Sequence, residues 1–484
     1  MDLHAPATKP TLGLMQLANA PITLPASMGN PDSYSYPARF LQVPGAWGER
    51  IVGDDMSMVD AYVACARRLE NEGVAALATN CGFTARFQKA VAGAVRIPVA
   101  LSSLLLVPLM AGFLPPGRKL GVLTASARHL NEVHFAGAGW SAKDYAIAMA
   151  GIEDSQSMCE MMKAEPRLTT AMIERDVIAA ARALLAREPR IGLLVLECSA
   201  FPVAAVAVRR ETGLPAVDFV TLCNLIMAGA GARRAGRERA PGAAGEALAI
   251  LRLQHRPVEL PGAISRPDSF AYPVRYHAVP GAWADNVTAG DRSVLPAYIG
   301  SARAMEREGA DAITTTCGFT ALFQRDIAAA VSVPFAGSSL LLVPFVKRIL
   351  PPGAKLAILT FDSTRLSEAH AEAAGFTLAD DSIVVDGVEG TESWSEMMKP
   401  EPGITHDMLA RDVIAAGRRL IERHPQVRAI VHECAVFPIV TDAVRRTLRL
   451  PVFDYLALAD VLMDSVRGRR AAAARAPAVE AAAE

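Results

Sequence analysis

Two kinds of hydrophobic patterning alternate along the chain. Short, nearly continuous apolar runs are bounded by Gly, Pro and polar residues: TLGLMQL at Thr11, ARFLQVP at Ala38, VAALAT at Val74, IPVALS at Ile97, KLGVLT at Lys119, GLLVLE at Gly192 and LPAVDF at Leu214. Such runs predict strands covered on both faces. Between them apolar residues return with the helical period. Met56 to Glu72 places Val59, Val63, Ala66 and Leu69 on one face, and Ala171 to Glu188 places Ile173, Val177, Ala181, Leu184 and Leu185 on another. Weaker helical patterns cover Phe83 to Val95, Leu104 to Leu114 and Ala127 to Ala138, with a further helix after Cys198 and one from Thr221. Strand and helix in alternation predict an α/β fold of parallel sheets with covered faces.

The pattern then starts again. Leu12 to Met227 aligns with Leu248 to Met463 at a constant shift of 236 residues, without a gap and with nearly half the positions identical. PDSYSYPAR matches PDSFAYPVR, VPGAW at Val43 matches VPGAW at Val279, SSLLLVP at Ser102 matches Ser338, and EMMK at Glu160 matches Glu396. A repeat this long is a whole domain, not a solenoid unit. The predicted boundaries are a disordered start over 1–10, copy 1 over 11–230, a Gly/Ala/Arg-rich linker over 231–246, copy 2 over 247–466 and a low-complexity tail over 467–484.

Composition narrows the function classes. The 484 residues are 51% hydrophobic and 20% charged, as in a globular chain of two to four domains with ample core. A formal net charge of −1 leaves no electrostatic footprint for nucleic acid or an anionic membrane. No apolar run is long enough to span a bilayer, and MDLHAPATKP has no signal-peptide pattern. Seven cysteines without a CxxC make neither a disulfide framework nor a zinc site, and a reducing cytoplasm is the predicted setting.

Four of those cysteines carry the candidate chemistry. Cys81 stands in ATNCGFTARFQ and Cys198 in VLECSAFP; Cys317 stands in TTTCGFTALFQ and Cys434 in VHECAVFP. Both members of each pair follow a predicted buried strand and precede a helix, and the two strands lie in opposite halves of their copy. Each copy is therefore predicted to have two lobes with a cleft between them, because ligands bind at the carboxyl ends of parallel strands. The amides of a helix start would lower a thiol pKa from about 8.5 toward neutrality and bind a carboxylate. Two matched thiols at one carbon can act as base and acid, one removing a proton and the other returning it on the opposite face. Cys65, Cys159 and Cys223 become Ser301, Ser395 and Ala459 in copy 2 and read as packing residues. His134 and His370 fall mid-helix and read as helix-face residues.

The two cysteine segments resemble those of the aspartate/glutamate racemase family, which also includes hydantoin racemases, arylmalonate decarboxylase and maleate isomerases. The resemblance covers each copy almost end to end. It implies a cofactor-independent enzyme, without pyridoxal phosphate or metal, that racemises or epimerises a small acid, hydantoin or amino acid at the carbon next to a carbonyl. Cys81 and Cys198, with Cys317 and Cys434, match the family's opposed catalytic cysteines. Substrate contacts are implied for Asn80, Gly82, Ser102, Ser103, Thr124, Ser199, Pro44 and Gly45, and in copy 2 for Thr316, Gly318, Ser338, Ser339, Thr360, Pro280 and Gly281. The sequence also departs from the family. Ala18 and Gln254 stand near the place of an acidic residue common in the amino-acid racemases, and Ser199-Ala200 and Ala435-Val436 replace the Thr followed by His or Glu after the second cysteine. Glutamate and aspartate are thereby disfavoured as substrates. Glu197 and Glu433 are candidates to compensate, although strand alternation allows either orientation. A decarboxylase or cis–trans isomerase of a dicarboxylate, and a non-catalytic binding protein on the same scaffold, are the competing readings. Family members often pair, so a single chain with two copies raises the question of an internal pseudo-dimer.

Overall fold

The computed structural model describes residues 9–53, 55–233 and 246–469. Most of the predicted disordered start, linker and tail lies outside the described residues. Copy 1 contains two parallel sheets. The first is ordered β2-β1-β3-β4, from β1 (Leu12–Gln16), β2 (Ala38–Gln42), β3 (Ala76–Thr79) and β4 (Val99–Ala100). The second is ordered β6-β5-β7-β8, from β5 (Lys119–Thr124), β6 (Ile147–Gly151), β7 (Ile191–Leu196) and β8 (Ala216–Val217). Copy 2 repeats both orders with β9 (Leu248–Arg252), β10 (Val274–Ala278), β11 (Ala312–Thr315), β12 (Phe335–Ala336), β13 (Lys355–Thr360), β14 (Ile383–Gly387), β15 (Val427–His432) and β16 (Val452–Phe453). Each copy is thus a two-lobed α/β unit.

The central strands are the ones whose apolar runs are unbroken. β3 is buried throughout, pairing with β1 at Leu12–Ala76 and Leu14–Ala78. β7 is buried over Leu193–Leu196 and pairs with β5. β2 is an edge strand and stays half-exposed, with Arg39 held outward by Glu72. The helix Thr170–Arg187 covers the second sheet. Thr169 caps it by accepting from the Met172 amide, and Ile173, Val177, Ala181 and Leu184 form its buried stripe. Full burial of each larger side chain in that stripe contributes roughly 1.5–3 kcal/mol.

Several local expectations differ from the structure. The helix predicted from Phe83 opens as a tight 3-10 stretch, Gly82–Phe87, before an α-helix over Gln88–Ala94. The one predicted from Leu104 opens in the same way over Ser103–Leu106. The segment Ala127–Ala138 is helical only over Glu132–Gly137, because Asn131 supplies a cap that starts the helix late. β6, which is not among the predicted strands, is an unbroken run of mostly small apolar residues, and every residue of it is only partly buried.

The copies touch through equivalent residues. Gln88 Nε2 donates to the Arg348 carbonyl at 3.2 Å and Gln324 Nε2 donates to the Gly112 carbonyl at 2.7 Å; the two donors are 236 residues apart, and so are the two acceptors. The helix Phe219–Gly229 packs on its counterpart Tyr455–Val466. A partly buried Arg233–Asp460 ion pair at 2.6 Å adds to this contact.

Candidate functional site

Cys81 stands two residues beyond β3 and Cys198 two beyond β7, so the carboxyl ends of the two sheets carry one thiol each. Both line a single cleft in copy 1 of about 740 Å³ including its mouth. The turn that presents Cys81 is pinned by two threonines. Thr84 Oγ1 donates to the Cys81 carbonyl at 2.7 Å, contacts Thr79 Oγ1 at 2.8 Å and reaches the Leu101 carbonyl at 2.9 Å. The amides of Phe83 and Thr84 point at the Cys81 sulfur, and those of Ala200 and Phe201 at the Cys198 sulfur.

These amides do lower the thiol pKa, as the sequence predicts, but they lose to two larger effects. Burial, followed by the charge of Glu197, pushes the Cys81 thiol up to about 12. The same two causes, in the same order, raise Cys198 further, with Cys81 contributing as well. The resting thiols are therefore protonated at neutral pH, contrary to the expectation of a depressed pKa. A helix start of one tight turn offers few aligned dipoles, and a wholly buried thiolate has lost its water.

Glu197 is the feature that sequence left open. It is fully buried between the two cysteines' loops and lines the cleft. Its Oε2 accepts from Thr124 Oγ1 at 2.7 Å, while Oε1 has no partner. Burial raises its pKa to about 7, the Thr124 hydroxyl opposing the shift. Gly82 makes room for it, since a Cβ built there would fall inside the van der Waals radius of Glu197 Oε1. Copy 2 repeats the arrangement with Glu433, Thr360 and Gly318. There Glu433 is again raised to about 7 and Cys317 to about 12, with burial the first cause in both. Tyr62 was also not singled out in the sequence; its buried hydroxyl has no partner, and Cys81 is near enough to raise its pKa further.

The other predicted residues separate into two groups. Asn80, Gly82 and Ser199 line the copy 1 cleft with the cysteines. The Ser199 hydroxyl donates to the Asn80 carbonyl, and Asn80 Oδ1 accepts from the Leu17 amide at 2.8 Å. Thr124 and Thr360 act one step back, on the glutamates. Ser102 and Ser338 cap the tight helices that follow them, and Ser103 and Ser339 donate to the Leu196 and His432 carbonyls, so these hydroxyls are spent on backbone. Pro44 and Pro280 are exposed. Gly45 and Gly281 adopt positive φ of 73° and 76° in turns that do not line the two clefts described here. Thr316 lines the copy 2 cleft, whereas Gly318 is covered by Glu433. His134 and His370 close capping boxes, pack edge-on against Phe83 and Phe319, and are depressed to about 4, mainly by burial.

The remaining wall of the copy 1 cleft is apolar. Ile22, Met28, Ala125, Met158, Met161 and Met162 contribute, the polar Asn19 and Ser27 being exceptions, and the sole carboxylate of the lining is Glu197. Among the described residues no group of three or more His, Cys, Asp or Glu side chains is placed to hold a metal ion. No helix among them is long and apolar enough to cross a membrane.

Two sheets that aim a cysteine each at one cleft define a two-lobed α/β protein of the racemase type. The family model for Asp/Glu/Hydantoin racemase matches residues 273–460. Dimethylsulfoniopropionate lyase of Durusdinium sp. clade D is 31% identical over 219 residues, covering 44% of this chain and 72% of that protein. Dimethylsulfoniopropionate lyase 5 of Emiliania huxleyi is 24% identical over 448 residues, covering 84% of this chain and 88% of that protein. Aspartate racemase of Picrophilus torridus matches in structure with 14% identity and a TM-score of 0.32, covering 46% of this chain and 95% of that one. The chain belongs to the aspartate/glutamate/hydantoin racemase family, as a tandem duplication of the family domain.

Proposed function

We propose that copy 1 is a cofactor-independent enzyme that removes a proton from the carbon next to a carboxylate, and that its outcome is elimination rather than racemisation. The substrate class is a short carboxylate bearing a dialkylsulfonium group on the β carbon, as in dimethylsulfoniopropionate. The observation that carries this reading is the composition of one cleft. Both thiols and the buried Glu197 share it with four methionines, and no carboxylate besides Glu197 is there to pair with an ammonium. A sulfonium bears its charge on a centre wrapped in methyl groups, which suits apolar and thioether contacts. The names of the relatives agree with it.

In this reading Glu197 and the thiols share one proton. With Glu197 ionised, the carboxylate takes a thiol proton, and the thiolate so formed removes the α hydrogen. The C–H electron pair becomes the new C=C bond, the Cβ–S bond breaks, and its pair leaves on sulfur as a neutral dialkyl sulfide. An acrylate-type product remains, and the proton on the thiol is released through Glu197. The leaving group needs no proton, so the second thiol positions the substrate. The racemase reading keeps one argument: two opposed thiols are what inversion at carbon requires. The experiment is turnover of dimethylsulfoniopropionate in deuterium oxide. Dimethyl sulfide with acrylate supports elimination; deuterium at the α carbon of recovered chiral acids, without sulfide, supports racemisation. The reciprocal contacts between copies support treating the chain as an internal pseudo-dimer.

A further inference from the structure

The cleft of copy 2 differs from that of copy 1 in what lines it. It is about 620 Å³, and its lining includes Thr316, Ala435 and Val436 but neither Cys317, Cys434 nor Glu433. At the positions of Ala125 and Met158, copy 2 carries Phe361 and Trp394. Their rings stack with centroids 6.1 Å apart, and Trp394 Nε1 donates to Asp362 Oδ2 at 3.2 Å. The Phe361 amide reaches Glu433 Oε2 at 3.3 Å, which places this pair beside the buried glutamate. An alanine and a methionine that line the copy 1 cleft are thus replaced by two stacked aromatic rings that do not line the copy 2 cleft.

The outer part of the cleft has changed charge. Gln16, Asn19 and Ala20 of copy 1 become Arg252, His255 and Arg256. Both ring nitrogens of His255 are engaged with backbone: Nδ1 faces the Lys399 carbonyl at 2.8 Å, and Nε2 accepts the Ala284 amide at 2.8 Å. Arg256 meets Glu401 at 3.5 Å with both side chains largely exposed, a contact of little strength. Arg252 lies over the Tyr276 ring at 5.1 Å, and its buried Nε has no hydrogen-bond partner. A guanidinium with an unused buried donor beside apolar Val258, Ile264 and Ile439 is built for a planar anion on a hydrocarbon body.

We propose that the cleft of copy 2, whose lining does not include its own cysteines, is a binding site for a small alkyl carboxylate anchored by Arg252. The site does not depend on what copy 1 turns over. Its test is calorimetric titration of the full chain with hexanoate, using hexylammonium as the charge-reversed control. Hexanoate binds and hexylammonium does not; R252M weakens hexanoate at least about tenfold, the loss anticipated for a charged hydrogen bond. A435W, which fills the cleft from its other side, abolishes binding without removing the guanidinium. M161W, which fills copy 1, leaves it unchanged. The proposal is overturned by no heat of binding at about 10 mM hexanoate, a concentration that detects millimolar affinity. It is equally overturned by binding that survives both R252M and A435W, or that is lost in M161W. Because every readout is binding, its failure is separate from failure of the catalytic reading, which is judged by sulfide release.

Discussion

The two copies keep the same reacting frame and differ in the walls around it. Cys81, Cys198, Glu197, Gly82 and Thr124 recur as Cys317, Cys434, Glu433, Gly318 and Thr360, with the same hydrogen bond from threonine to glutamate and the same orphaned Oε1. Around that frame, Ala125, Met158 and Ala20 become Phe361, Trp394 and Arg256. The frame is retained as one mechanical unit because its parts require each other: a buried carboxyl needs its threonine, and the glycine is the residue that leaves it room. The walls are free to diverge. A duplicated domain can thus keep the internal geometry of a catalytic centre while the residues around it change.

The comparison can be broken most sharply at the glutamate. E197Q keeps the shape of the side chain but cannot take a thiol proton, and lowers kcat/KM by about a hundredfold or more, in the range for removal of a general base. It also changes the pH profile. In the native protein activity rises as pH passes about 7, where Glu197 loses its proton; in E197Q that rise disappears. E433Q leaves both rate and profile unchanged, and a loss in E433Q equal to that in E197Q would refute the division between copies. G82A tests the same point sterically. The added methyl displaces the carboxyl, and a fall in rate of about tenfold with a stability loss of about 1–3 kcal/mol is the anticipated outcome, read by kinetics and chemical unfolding.

A smaller effect sharpens the account of the walls. F361A combined with W394M gives copy 2 the residues of copy 1 at both positions. Cys434 then reacts with iodoacetamide about tenfold faster, followed by mass spectrometry at pH 8, because two smaller side chains leave more room beside Glu433. The smallest effect is on stability. Glu433 has a folded pKa raised to about 7 by burial, above its unfolded value, so stability is fully present below the unfolded pKa and declines as pH rises through about 7. E433Q flattens that decline in thermal melts between pH 5 and 8 without touching turnover.

Much of this was legible in the chain itself. The repeat was plain from identities at a constant shift, and β1, β3, β5 and β7 from their unbroken apolar runs. The cysteines' shared cleft followed from thiols placed after such strands. What was hidden was hidden for physical reasons. β6 is a partly exposed strand of mostly small apolar residues. The direction of Glu197 depends on where the strand stops alternating, one residue past the end of β7. The thiol pKa values follow from the balance of amide dipoles against burial, and burial is a property of the folded cleft that no local motif reports. The Phe361–Trp394 pair was visible as two substitutions between the copies, but its meaning required seeing the rings meet.

The account rests on copy 1 as the seat of proton abstraction, and one paired measurement addresses it directly. Dimethyl sulfide release from dimethylsulfoniopropionate is followed in C198S and in C434S, each as the full folded chain. The account predicts that C198S, which removes one of the two thiols of the copy 1 cleft, loses activity by about a thousandfold, while C434S stays near the native rate. Activity that survives in C198S, or that vanishes in C434S, would contradict it.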